Sequence, residues 1–148
     1  LRLLWVGDGW RKDARLALAR KLGIADRIVV TGMVPSSEIP SLIQSFDLLV
    51  HPSYREGLPR VVVQAMLAGV PVVATDADGT REVCVSEKTG RLVPIGDVEA
   101  LRAALQDHLD HPQRSQQWAE EAEALVRTEF TVDAMVDALE ALYAKLLA

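Results

Sequence analysis

A single cysteine, Cys84, stands among the 148 residues. It excludes an internal disulfide framework and suits a reducing compartment, and its simplest reading is a small buried hydrophobe. Histidines are few too, three in all, and no His/Cys/Asp cluster has metal-ligand spacing, so no bound metal is expected. Positive charge is in the minority: 16 Lys and Arg against 21 Asp and Glu leave a formal charge of −5. With no basic cluster to override that balance, a nucleic-acid surface is not expected. Apolar runs never exceed strand length, which excludes a transmembrane helix, and no signal peptide is visible. Repeats, low-complexity tracts and internal linkers are absent too. What remains is ordinary for a globular protein, 49% hydrophobic and 25% charged, in one domain's worth of chain. The first residue is Leu1 rather than Met, from which a longer natural N-terminus is expected.

The stretch from His51 to Glu82 organises the rest. Asp47-Leu48-Leu49-Val50 is a short apolar run ending at Pro52, and it reads as a buried strand. A polar loop follows, Ser53 to Gly57, then an apolar helix from about Pro59 to Ala68, stopped by Gly69. Pro71-Val72-Val73-Ala74 begins another buried strand. Strand, loop, helix, strand is a crossover unit whose loop lies where open parallel sheets bind ligands. The first amides of the helix lack partners within it and form an anion site. Gly57 permits close backbone approach, and Pro59 fits the first helical turn. These residues describe a site for a phosphate-bearing small molecule with Glu56 beside it.

The stretch resembles the signature of retaining, nucleotide-sugar-dependent glycosyltransferases of the GT-B fold, family 4 type. The family pattern is a Glu-Gly or Glu-Ser loop, a second Glu eight positions on, and Ala-Met-Ala-x-Gly-x-Pro-Val-Val-Ala. Here it reads Glu56-Gly57-Leu58-Pro59-Arg60, Ala65-Met66-Leu67-Ala68-Gly69-Val70-Pro71-Val72-Val73-Ala74-Thr75, then Asp78-Gly79-Thr80-Arg81-Glu82 and Thr89-Gly90. It departs at one place: the second Glu is Gln64.

Along the rest of the chain, Leu1 to Val6 reads as a strand. Gly7-Asp8-Gly9 then turns into a helix ending near Leu22-Gly23. A dinucleotide fingerprint would put its third glycine on Lys12, so a dehydrogenase reading is weak. Ile28 to Thr31 is the next strand, and Ser36 is placed to cap a short helix running through Pro40 to about Ser45. After Thr75 come a loop at Asp76–Gly79, a helical turn over Thr80–Val85 and a strand at Gly90–Val93. Asp97 caps a helix with Val98, Leu101, Leu105 and Leu109 at helical spacing. Pro112 starts another, with Trp118, Ala122, Leu125 and Val126 on one face. Thr131 caps the last, whose Met135, Leu139, Leu142, Tyr143 and Leu146 read as a core-facing stripe.

The resemblance implies an α/β fold, a Rossmann-like parallel sheet with helices on both faces. Residues 1–148 would be the donor-binding second domain of a GT-B enzyme, lacking its first strand and the acceptor domain. That strand is central in a doubly wound order, so its loss would expose apolar edges and favour a dimer of the fragment. Glu56 would face hydroxyls of the donor sugar; the alternative is an exposed loop carboxylate. The amides near Leu58 to Val61 would meet the diphosphate, in a binding corner that Gly57 and Pro59 shape, with Arg60 as a charged partner or as a solvent-facing arginine. Gln64 would take the ribose-binding place, where an amide still bonds a diol but without charge assistance; otherwise it is a helix-surface residue. Met33 would lie against the base, or else pack in the core. Glu82 either supports the site or sits in the first turns of its helix. His51, at a strand end, reads as a packed structural residue.

The implied function is transfer of a sugar from a nucleoside diphosphate sugar to a glycan or glycolipid acceptor. No cofactor is needed beyond that donor substrate, and the isolated fragment is expected not to turn over. The Glu-Gly-Leu-Pro-Arg variant looks most like bacterial surface-polysaccharide enzymes. The expected location is the cytoplasm, with membrane association of the full-length enzyme left open. Two rivals stand beside this reading: a GT-B-fold sugar-nucleotide epimerase and a non-catalytic sugar-nucleotide-binding module.

Overall fold

The computed structural model describes residues 1–147, which fall into two compact units, Leu1–Ile39 and the chain from Pro40 on. The first unit holds two parallel strands, β1 (Leu3–Val6) and β2 (Ile28–Gly32), joined through helix α1 (Lys12–Lys21) and a 3₁₀ turn at Ala25–Arg27. Gly7 takes φ +118°, and its N–H donates to the Gly32 carbonyl at 2.9 Å, closing the end of the pair where a side chain would be strained. Helix α2 (Ile39–Gln44) starts three residues beyond Ser36. Ser36 is therefore not its cap, and Pro40 is the second helical residue, a position that needs no donor.

The second unit is built on three parallel strands in the order β3 (Leu49–His51), β4 (Val72–Thr75), β5 (Arg91–Val93). All of β4 is buried, which requires cover on both faces of the strand because successive side chains alternate. On one face Val73 joins Val93 and Ala104 in a core that Leu48, Ala100 and Leu101 complete. Strand pairing thus divides into a two-stranded and a three-stranded sheet, parallel throughout.

Helix α3 (Arg60–Leu67) follows β3 and buries Val62, Ala65 and Met66. It begins one residue after Pro59, which sits at the cap with extended backbone. Its end is a Schellman motif: Gly69, at φ +68°, donates to the Met66 carbonyl at 3.0 Å, and Val70 donates to that of Ala65 at 2.9 Å. Short α4 (Thr80–Val83) leads to β5, then come α5 (Val98–Asp110) and α6 (Pro112–Glu129). The Asp97 carboxylate accepts from the Ala100 amide at 2.8 Å, as its capping role requires. The spacing on α5 overstates its apolar face. Ala104 is the buried residue, Leu101 and Leu105 are half-buried, and Val98 and Leu109 are exposed. On α6, which packs against α3, the expected face turns inward in part: Ala122 and Val126 are buried, Trp118 and Leu125 half-buried, and Ser115 and Ala119 are buried beside them.

The last helix, α7 (Val132–Leu147), is a correction. Thr131 caps it through the Ala134 amide at 3.1 Å, but no residue along it is buried. Met135, Leu139, Leu142, Tyr143 and Leu146 are exposed, Leu146 to 71%. The periodicity identified an apolar stripe; nothing among the described residues covers it.

Candidate functional site

Two loops at the carboxyl ends of neighbouring parallel strands make the site. The first runs from Pro52 to Pro59 between β3 and α3, the second from Asp76 to Gly79 between β4 and α4. They are locked together at one backbone contact. Gly79 N–H donates to the Glu56 carbonyl at 3.3 Å. A Cβ built on Gly79 would lie 1.7 Å from the Gly57 carbonyl oxygen. No side chain fits there, so glycine at position 79 is a packing requirement. Beneath the first loop the buried Thr75 hydroxyl donates to the Ser53 carbonyl, with the His51 carbonyl 3.4 Å away, tying the end of β3 to the end of β4.

Glu56 is half-buried, its side chain 24% exposed, and its Oε1 lies 2.9 Å from His51 Nε2. A carboxylate only accepts, so Nε2 carries the hydrogen. Gly57 and Leu58 are exposed beside Glu56, while Pro59 is buried. The amides of Leu58, Arg60 and Val61 have no acceptor among the described residues, as expected of a helix start open to an anion. Arg60 and Gln64 are one turn apart on the exposed face of α3. The structure therefore brings Glu56, Gly57, Leu58, Pro59 and Arg60 into one loop-and-helix corner, with Gln64 a turn further along. Met33 belongs to the other unit, in the segment after β2, and is 82% exposed, which removes core packing as its role. Glu82 is exposed on α4. Asp76 Oδ1 lies 3.0 Å from Arg81 Nε but makes no hydrogen bond, so charge alone holds that exposed pair, a small contribution.

Reading His51 as a packed residue missed its bond to Glu56. The available signal was its place: a polar side chain ending a strand, five residues before the loop carboxylate. Cys84 is fully buried, and burial pushes its thiol up to about 12. A small cavity of about 10 Å³ lies between β4, α5 and α6, walled by Val73, Ala104, Ser115 and Trp118 among others. His108 lines it, its Nδ1 without a partner among the described residues and its pKa lowered by burial against the opposing pull of Asp47 and Asp107. That space suits a water at most, and neither site loop contributes to its wall. Among the described residues no three His, Cys, Asp or Glu side chains gather as a metal site, and no helix is long and apolar enough to cross a membrane.

Known proteins resemble this chain in sequence and in fold. A 2-deoxystreptamine N-acetyl-D-glucosaminyltransferase of Streptomyces fradiae is 37% identical over 109 residues, 74% of this chain and 26% of that protein. An alpha-D-kanosaminyltransferase of Streptomyces kanamyceticus is 31% identical over 137 residues, 93% of this chain and 36% of that protein. The chain thus spans between 26% and 36% of the length of these two relatives. Among solved structures, Anabaena HepE in complex with UDP and glucose superposes with a TM-score of 0.85 at 29% identity, covering 97% of this chain and 40% of that one. Sucrose-phosphate synthase from Thermosynechococcus elongatus gives 0.87 at 27% identity, over 99% of this chain and 38% of the other. The family model described as "Glycosyl transferases group 1" matches residues 1–125, a span that contains both site loops and all five strands. The chain belongs to the glycosyl transferases group 1 family.

Proposed function

We propose that this chain is the donor-binding, C-terminal part of a family 4 type retaining glycosyltransferase, which moves a sugar from a nucleoside diphosphate sugar to a glycan or glycolipid acceptor. One observation carries the reading. A half-buried carboxylate, Glu56, stands at the carboxyl end of a parallel strand, one turn from a helix start whose amides are free. Such a corner suits a molecule with hydroxyls at one end and phosphate at the other. Glu56 accepts from donor-sugar hydroxyls, the amides of Leu58, Arg60 and Val61 meet the diphosphate, and Arg60 adds charge from an exposed position. Gln64, also exposed, bonds the ribose diol through its amide. UDP in the HepE complex supports a nucleotide of this class for the donor.

The test uses the full-length enzyme with UDP-glucose, UDP-N-acetylglucosamine and GDP-mannose in turn. Nucleoside diphosphate release that depends on an added glycan acceptor, with a product of the donor's own anomeric configuration by NMR, is the expected result. Inverted configuration would sink the retaining assignment. No release from any donor of the panel would sink the transferase.

A further inference from the structure

Glu56 is fixed at two separate points. Its backbone carbonyl accepts from the Gly79 amide, and its carboxylate accepts from His51. The first contact positions the loop; the second positions the reactive group. His51 is well placed to do so. It is the last residue of β3, registered opposite Ala74 of the fully buried strand β4, and its own carbonyl faces the Thr75 hydroxyl. The imidazole therefore projects from backbone that the sheet anchors, whereas Glu56 sits in a loop without regular structure. Both side chains are mostly shielded, 18% and 24% exposed, so water competes poorly for the bond between them.

We infer that His51 is a positioning residue, holding one oxygen of the Glu56 carboxylate so that the other stays free to accept from the donor sugar. The inference rests on Glu56 being the sugar-facing carboxylate. An Nε2–H donates both in the imidazole that carries its hydrogen there and in the imidazolium. A carboxylate released from it keeps its loop position but rotates among its side-chain rotamers. The nucleotide is then bound as before, while the sugar is poorly oriented.

The experiment is a mutant cycle in the full-length enzyme, with whichever of UDP-glucose, UDP-N-acetylglucosamine and GDP-mannose supports nucleoside diphosphate release. His51→Leu keeps bulk and removes the donor, and is expected to lower kcat by roughly tenfold or more, as misplacement of a reacting group does. Inhibition by free UDP or GDP, which lack the sugar, stays unchanged. His51→Gln restores an N–H and recovers most of the rate. In a Glu56→Ala background His51→Leu adds nothing further, because its effect runs through Glu56. Should His51→Leu fail to fold, His51→Asn, too short to reach, replaces it in the cycle. A wild-type kcat for the leucine variant, losses that multiply with those of Glu56→Ala, or no recovery with glutamine would each overturn the inference. If Glu56→Ala is impaired and His51→Leu is not, only this inference falls. If Glu56→Ala itself turns over normally, the assignment of Glu56 falls with it.

Discussion

Helices α3 and α7 make the same promise in sequence and keep it differently. Each carries an apolar stripe at helical spacing, yet α3 buries Val62, Ala65 and Met66 while α7 buries nothing. Sequence context separates them. The apolar face of α3 is flanked by the strands β3 and β4, which the chain itself supplies on either side, and by α6. Helix α7 comes after the last strand and beyond residue 125, where the family match ends. Periodicity reports which face of a helix is apolar, and only the neighbours decide whether it is covered.

That contrast breaks if stability does not follow it. Met66, fully buried on α3, and Leu139, 42% exposed on α7, are the pair to compare. Met66→Ala should cost about 3 kcal/mol in urea denaturation of this chain, since it removes packed atoms and leaves a cavity. Leu139→Ala should cost under about 1 kcal/mol. Equal costs would mean that α7 is packed in solution.

Gly79→Ala comes next, because its Cβ would meet the Gly57 carbonyl. Overpacking against backbone is expected to cost about 2 kcal/mol in the same assay. In the full-length enzyme it displaces Glu56 and lowers turnover roughly a hundredfold. A variant with normal stability and rate would show that the two loops are not locked.

Cys84 sharpens the account of the buried interior. Its thiol stays protonated in the folded chain to about 12, against an ordinary 9.0. The unfolded chain therefore loses this proton first, so stability is full below pH 9.0 and falls as pH rises toward 12. The slope owed to Cys84 is about 1.4 kcal/mol per pH unit. Chemical denaturation from pH 8 upward, compared with Cys84→Ala, reads it directly, and identical slopes would contradict the burial.

The smallest effect concerns the exposed face of α3. Gln64→Glu in the full-length enzyme adds a charge-assisted bond to the ribose, worth about 1 kcal/mol over a neutral one, and should tighten donor binding several-fold in calorimetry. Unchanged affinity would leave Gln64 as a surface residue.

Much of this was legible from residues. The β3–α3–β4 unit, the Gly69 stop and the Asp97 and Thr131 caps depend on local chemistry, and the structure has them where the sequence puts them. Ser36, Val98 and Leu109 were misread because a cap-like residue or an apolar spacing says nothing about what stands opposite. The site divided along the same line. Glu56 and the helix start are motif residues. The His51 bond depends on a side chain leaving the end of a strand toward a loop, and the Gly79 contact on two loops meeting, which no single stretch encodes.

The most direct measurement is turnover by Glu56→Ala in the full-length enzyme, set against its affinity for free UDP and GDP. With the carboxylate facing the sugar and the nucleotide held elsewhere, kcat is expected to fall roughly a hundredfold or more, while nucleoside diphosphate affinity stays within about twofold of wild type. A wild-type kcat, or a loss of nucleotide affinity equal to the loss of rate, would contradict the account.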